Sequence, residues 1–303
     1  MMRILVFGSL NLDYVFQVDS IVLPGQTISS NQMSLSTGGK GFNQAVATAK
    51  AGAHVCFAGA LAEKDLDLFQ QTLDQCGVNG SLLDTDHEFT GRALIQVDKK
   101  GQNCIVLYGG ANQEITREYI QTVLARFGDQ DILLIQNEIS QLPFLMEQAS
   151  MRGMKIYFNP SPVNKQLFDC PLETVDTLIL NEIEGQQISG QKNPQKMITA
   201  LLEKYPGMKL VLTLGKQGAV YADKYQTFRY GIFDVPVVDT TAAGDTFTGF
   251  YLAEICRNGD VSKALRIASA ASSLAVSRRG ASVSIPTMDE VAAFLKGHQT
   301  PDC

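Results

Sequence analysis

Histidine, cysteine, net positive charge and long apolar runs are all scarce in this 303-residue chain, and each scarcity closes off a class of function. Three histidines (His54, His87, His298) and six scattered cysteines (Cys56, Cys76, Cys104, Cys170, Cys256, Cys303) form no C-x-x-C pair and no H-E-x-x-H, which argues against structural or catalytic zinc. The cysteines are too sparse for a disulfide scaffold, and reduced, mostly buried thiols are expected. With 25 Lys+Arg against 31 Asp+Glu the net charge is -6. Attraction to nucleic acid or anionic lipid is therefore not expected, and an anionic ligand needs its own local positive site. The first apolar run ends at Gly8, too short for a signal segment or a membrane span, so a cytoplasmic protein without a membrane partner is expected. No G-x-G-x-x-G occurs. Gly185-Gln-Gln-Ile-Ser-Gly190 has P-loop spacing but is followed by Gln191-Lys192 and does not join a strand to a helix. A Rossmann dehydrogenase or a P-loop ATPase thus lacks its fingerprint.

What is present is globular: 45% apolar and 18% charged residues. The length admits two domains or one large α/β unit, and no repeat, low-complexity tract or interdomain linker divides it. Ile4 to Phe7 is a continuous apolar run, followed by helical spacing at Phe42, Ala45, Val46 and Ala49, and His54 to Ala58 reads as the next strand. Further runs at 131–135, 155–158, 177–180 and 210–214 alternate with helical segments at 141–152 and 182–188. Helices at about 245–257, 261–277 and 288–296 close the chain. Such alternation predicts a mostly parallel sheet covered by helices on both faces. Two stretches, about 11–36 and 81–110, break the rhythm. Arg92 to Val97 and Asn103 to Leu107 read as a hairpin around 98–101, so these strand-rich insertions suit either a small lid sheet over the main strand ends or a plain surface hairpin.

The strongest local signal is Asp239-Thr-Thr-Ala-Ala-Gly-Asp245. Ala242, Ala243 and Gly244 stand just before a helix, where backbone N–H groups can converge on an anion with no side chain in the way. Asp245 in the first turn reads either as a proton acceptor for a hydroxyl or as an ordinary N-cap. A second glycine-rich turn, Gly38-Gly-Lys-Gly-Phe-Asn43, supplies a cation in Lys40 and a two-way hydrogen bonder in Asn43, which suits a polyol. Asn11 and Asp13 follow the first strand, where open α/β sheets hold ligands, although turn formation alone would also account for them.

Together with Asn181-Glu-Ile-Glu184, Thr213-Leu-Gly-Lys-Gln-Gly218 and Arg278-Arg-Gly280, these segments resemble the ribokinase, or PfkB, family of carbohydrate kinases, in order and along nearly the whole chain. Lys40 and the Asn11/Asp13 pair resemble its ribokinase branch more than the adenosine or hexose kinase branches. The resemblance implies one three-layer α/β/α unit over 1–303 with a small β-sheet lid, and transfer of the γ-phosphoryl group of ATP to a primary hydroxyl of a free pentose, D-ribose at its 5-hydroxyl. It places Asn11, Asp13, Gly39, Asn43 and Glu138 on sugar hydroxyls, with Lys40 neutralising the phosphate or orienting the sugar. Asp245 becomes the base beside an anion hole at 242–244. Asn181 and Glu184 help place Mg²⁺ and phosphates through water, and Thr213, Gly215 and Gly218 line the nucleotide. Asp239, Thr241, Ala275, Arg278, Gly280 and Ser284 surround K⁺. Homodimerisation through the lid is implied as well.

Departures from the family pattern keep other readings open. Arg92 stands where an apolar lid residue is usual; reaching over the sugar, it would favour a sugar acid such as 2-keto-3-deoxygluconate, and otherwise it is a solvated or dimer-contact residue. Phe250 replaces a usually small residue, so packing beside its helix must differ. Segment 268–273 lacks a large polar side chain for adenine. A sugar-binding regulator without turnover is a third reading.

Overall fold

Every side chain from Ile4 to Phe7 is buried, the mark of a strand covered on both sides. In the computed structural model, which describes residues 2–298, this strand lies inside an eight-stranded sheet. Cys303 falls outside the described residues. The sheet contains β1 (Ile4–Phe7), β4 (Val55–Ala58), β9 (Ile132–Gln136), β10 (Lys155–Asn159), β11 (Val175–Asn181), β12 (Lys209–Thr213), β13 (Ala219–Ala222) and β14 (Thr227–Tyr230), in the order β14-β13-β12-β11-β10-β9-β1-β4. All pairs from β4 to β12 are parallel, and β13 and β14 close one edge antiparallel. Ile4 and Val6 join one apolar layer and Leu5 and Phe7 the other, as strand alternation requires.

The first layer is covered by α1 (Lys40–Lys50), α2 (Leu66–Cys76), α7 (Ala243–Asn258), α8 (Val261–Val276) and α9 (Met288–Gly297). The second is covered by α3 (Arg117–Leu124), α4 (Leu142–Met151), α5 (Glu182–Ser189) and α6 (Pro194–Lys204). This is the predicted three-layer α/β/α arrangement. Periodicity did not reveal α2, α3 and α6; α2 buries only Phe69 and Leu73, too few to mark a stripe. The P-loop look-alike at 185–190 lies within α5 and its left-handed cap at Gly190, consistent with its rejection.

Two contacts set the position of the functional end. Phe42 is fully buried and meets Phe69 edge-on, with ring centres 5.1 Å apart. Burying such a ring contributes about 1.5–3 kcal/mol, enough to anchor α1 with its first turn at the end of β1. Gly249 lets α7 lie directly on α1: a Cβ there would come within 2.5 Å of the Ala47 Cβ. Phe250, the unusual residue of α7, is fully buried in the same layer.

A separate four-stranded sheet has the order β3-β2-β7-β8, from β3 (Gln32–Gly38), β2 (Asn11–Gln17), β7 (Gly91–Val97) and β8 (Asn103–Tyr108). The hairpin expected around 98–101 joins β7 and β8 antiparallel. The insertion expected over 81–110 is only partly in this sheet: β6 (Asp84–His87) pairs instead with β5 (Ala60–Ala62) in a two-stranded ribbon.

Candidate active site

Ala242 takes a left-handed conformation (φ 58°, ψ 10°) and starts α7 at Ala243, two residues earlier than the apolar pattern suggested. Asp245 is therefore inside the helix and caps nothing, which eliminates the N-cap alternative. Its carboxylate is only 7% exposed and accepts from Asn43 Nδ2 at 3.1 Å and from Gln44 Nε2 at 2.9 Å. The Ala243 N–H already bonds the Thr240 carbonyl at 3.3 Å, so the first-turn donors left over are those of Gly244 and Asp245. Ala242, Ala243, Gly244 and Asp245 line one wall of a cleft of about 210 Å³, with Lys40 also among its walls. A Cβ on Gly244 would meet nothing within 4 Å. Gly244→Ala is accordingly expected to leave folding stability within ~1 kcal/mol of the parent. Its methyl would intrude on the anion space and lower turnover by ~10-fold or more, the scale of a disturbed anion hole. Parallel melting curves and kinetics would check both halves.

The residues expected on sugar hydroxyls converge at the carboxyl ends of β1 and β9, neighbours at the point where strand order reverses. Asn11 and Asp13 are not turn residues; they lie on β2 and share one face of it. Gly39 precedes α1 at φ 94°, and a Cβ there would sit 2.8 Å from the Ser9 carbonyl oxygen, so only glycine lets the turn close. Glu138 accepts from the Ser9 hydroxyl and, at 3.1 Å, from the Lys40 backbone N–H. Burial pushes the Asp13 carboxyl up to about 7, with the charges of Glu138 and Asp245 adding to the shift. Burial raises Glu138 as well, against the opposing pull of Lys40. Burial opposes the Lys40 ammonium, but Asp245, Glu138 and Glu184 outweigh it and its pKa ends above the ordinary lysine value. The charges of Asp13, Glu138 and Lys40 are thus all felt at Asp245.

Asn181, Glu184 and Thr213 also line the cleft; Gly215 and Gly218 belong to the turn after β12 and do not line it. The two side chains form a capping box on α5, in which the Glu184 N–H donates to Asn181 Oδ1 at 3.0 Å and Glu184 accepts from the Asn181 N–H at 3.0 Å. Asp239 gathers the other group of predicted residues. Its carboxylate accepts from the Thr241 hydroxyl at 2.6 Å and from the Gly280 N–H at 3.0 Å, while the Val238 and Asp239 N–H groups bond the Val276 carbonyl. Burial raises Asp239, but these hydrogen bonds and Arg279 outweigh it and hold the carboxyl below its ordinary range. Arg278 turns its side chain to Glu290, and the Ser284 hydroxyl donates to the Ala281 carbonyl. Ala275 closes the same loop through its carbonyl, which accepts from the Arg278 N–H.

This arrangement has counterparts. A model of the pfkB family carbohydrate kinases matches residues 1–288. The chain belongs to that family. The ribokinase of Haemophilus influenzae is 33% identical over 301 residues, covering 96% of this chain and 97% of the relative. The ribokinase of Bacillus subtilis is 34% identical over 306 residues, covering 97% and 100%. Among solved structures, Thermotoga maritima ribokinase aligns with a TM-score of 0.85 at 34% identity, covering 98% of this chain and 100% of that one. Arabidopsis thaliana ribokinase complexed with ribose and ATP aligns with a TM-score of 0.84 at 27% identity, covering 98% and 99%. The protein is thus a phosphotransferase of the carbohydrate kinase type with the ribokinase-like α/β fold.

The kinase also recruits side chains that motif reading passed over. Asn159 and Ser161 line the cleft from the end of β10 and the residues after it. Asn112, only 2% exposed, donates to Asn11 Oδ1 at 2.8 Å and is itself clamped to the Leu10 backbone, which fixes how Asn11 presents its amide. Gln44 is buried against Asp245, and Gln136 is buried against Gln44. Their only sequence signal was polarity inside apolar segments. Arg92, by contrast, is in register with Leu12 and Tyr108, on the face of the small sheet opposite Asp13, and its guanidinium lies 5.4 Å from the Phe89 ring centre. The idea that it reaches over the sugar is corrected by that register. Among the described residues no helix is long and apolar enough to cross a membrane.

Proposed function

We propose that this kinase transfers the γ-phosphoryl group of ATP to the 5-hydroxyl of free D-ribose. The observation that supports it best is the position of Asp245: a nearly buried carboxylate at the first turn of α7, adjoining both the polyol-binding residues and the cleft lined by Gly244. In this reading Asn11, Asp13, Gly39, Asn43 and Glu138 hold the sugar hydroxyls, and Asp245 takes the proton of the attacking one. Charge spreads over the equatorial oxygens of the transferring group, and the N–H groups of Gly244 and Asp245 with Lys40 supply the countercharge, so most of the catalysis is positioning and electrostatics. The cleft of about 210 Å³ is smaller than the ~300–1,000 Å³ usual for a whole small molecule, so it would enclose the transferring end of the nucleotide. The base would lie over the turn containing Thr213, Gly215 and Gly218.

Glu184 and Asn181 line the cleft, and one carboxylate there fits a magnesium ion carried largely by phosphate oxygens and water. Such an ion would neutralise phosphate charge. The Asp239 carboxylate, the Ser284 hydroxyl and the carbonyls of Thr241, Ala275, Arg278 and Gly280 would offer oxygen donors alone, which suits a hard cation such as potassium.

With Arg92 facing away from Asp13, the feature that favoured a sugar acid no longer bears on the substrate. The chain would act as one α/β unit over 1–303 in the cytoplasm, with the four-stranded sheet closing over the sugar to exclude water. Met33, Leu35, Leu94, Val106 and Tyr108 are each about half exposed, and by register they share the face away from Asp13. Two such faces packed together would give a homodimer. An ADP-release assay across ribose, deoxyribose, fructose and ketodeoxygluconate, with and without K⁺, tests the assignment, and light scattering tests the dimer. Preference for ribose and a mass of two chains are expected. Sugar binding without turnover would instead make the protein a regulator, and turnover confined to the acid would reverse the substrate choice.

A further inference from the structure

We propose that Gln44 and Gln136 form an amide relay that orients Asp245, reserving one carboxylate oxygen for the sugar hydroxyl, so that both act as positioning residues for phosphoryl transfer. The proposal rests on the assignment of Asp245 as the base. Both glutamines are fully buried; the Gln44 amide is hydrogen-bonded at both ends, whereas Gln136 is held through its NH₂ alone and its Oε1 has no protein partner. They connect three elements: Gln136 ends β9, Gln44 is in the second turn of α1, and Asp245 is in the first turn of α7.

The relay has a direction. Gln136 Nε2 donates to Gln44 Oε1 at 2.7 Å, so Gln44 must present its NH₂ to Asp245, and it does so at 2.9 Å to Oδ1. Turning the Gln44 amide over would set NH₂ against NH₂ on one side and oxygen against carboxylate on the other. With Oδ1 engaged at depth, Oδ2 remains for the hydroxyl, on the side where Asn43 already donates to it. Space for the Gln136 amide exists because Gly8 has no side chain; a Cβ there would run into it. If these positions served packing alone, leucine would fill them without the cost of burying two amides. The charged groups that act on the same carboxylate are Lys40 on α1, Asp13 on β2 and Glu138 after β9, so a change at Gln44 is read against a constant background.

The test uses full-length Gln44→Leu, Gln44→Glu and Gln136→Leu, with circular dichroism and melting curves to select folded variants. Two readouts are taken: steady-state kinetics with ribose and ATP, and a ¹³C-carboxyl NMR titration of Asp245, assigned by the signal missing from Asp245→Asn. Gln44→Leu is expected to lower kcat ~10-fold or more with both KM values within ~3-fold, as for loss of an oriented base. Gln136→Leu is expected to give a smaller loss with the same pattern. In Gln44→Glu two carboxylates share a hydrogen-bonding distance and titrate as a pair, so the ¹³C titration curve changes and the acid limb of the kcat profile rises by ~1 pH unit or more. A ¹³C titration curve and an acid limb that both stay in place in Gln44→Glu overturn the relay, as does unchanged kcat in both leucine variants. A changed titration curve in a protein whose wild type phosphorylates no sugar would uphold the contact and overturn the substrate assignment alone.

Discussion

Asp245→Asn is expected to lower kcat by ~10²–10⁴-fold, the span of general-base contributions, while ATP affinity changes only a few-fold. The substitution keeps size and shape, so the backbone amides of the first turn of α7 stay where they are. What is lost is an atom that can hold the proton of the attacking hydroxyl. The amide can still accept from Gln44 through Oδ1, but its NH₂ would then oppose the Asn43 NH₂ that now donates to Oδ2. Asn43 must turn away, and a rise in sugar KM is expected beside the fall in kcat. Steady-state kinetics and direct nucleotide binding separate the two effects. Turnover close to that of the parent would remove Asp245 from the base role, whatever its hydrogen bonds.

Asp13→Asn should act in opposite directions on stability and on binding. Burial first, then the charges of Glu138 and Asp245, raise the Asp13 carboxyl from its ordinary 3.8 to about 7. Between those values the folded state holds a proton that the unfolded chain has released, so stability falls as pH rises through that window. Above it the native state carries the whole cost, up to about 4 kcal/mol at ~1.4 kcal/mol per pH unit. Asparagine carries no charge to bury. The variant is therefore expected to be about 1–4 kcal/mol more stable than the parent at pH 8, nearly equal to it at pH 4, and flatter between. Its sugar KM should rise ~10–10²-fold, because hydrogen bonds to a charged group contribute about 1.5–3 kcal/mol. Urea unfolding at several pH values checks the first claim and ribose kinetics the second. Variant and parent curves running parallel across the pH range would show that Asp13 is not the buried acid described here.

The elements differ in how readable they were. β1 and the first four residues of β9 are unbroken apolar runs, and their burial on both faces follows from composition alone. The 92–107 hairpin was readable because its strands flank a turn with Asp98 and Gly101. α2 and α3 were not, because they bury only two and three residues, too few to mark an apolar stripe. For Asp245 the local pattern allowed two roles. The left-handed Ala242 decided between them by starting the helix early, a conformation that no residue preference would assign to alanine.

Arg92 shows the same boundary from the other side. Its residue type suggested a carboxylate partner, yet side-chain alternation along β7, given the register to β2, points it away from the sugar residues. Register is a property of pairing and has no signature within one strand. The sequence by itself determined the alternating α/β order, the glycine-rich turns and the inventory of acids and amides at the strand ends, because burial and turn formation depend on neighbours close along the chain. Only the tertiary structure decided which of them meet: Asn43 and Gln44 reach Asp245 across about 200 residues because Gly249 lets α7 lie on α1, and such distant contacts are set by packing, which local residue preferences do not encode.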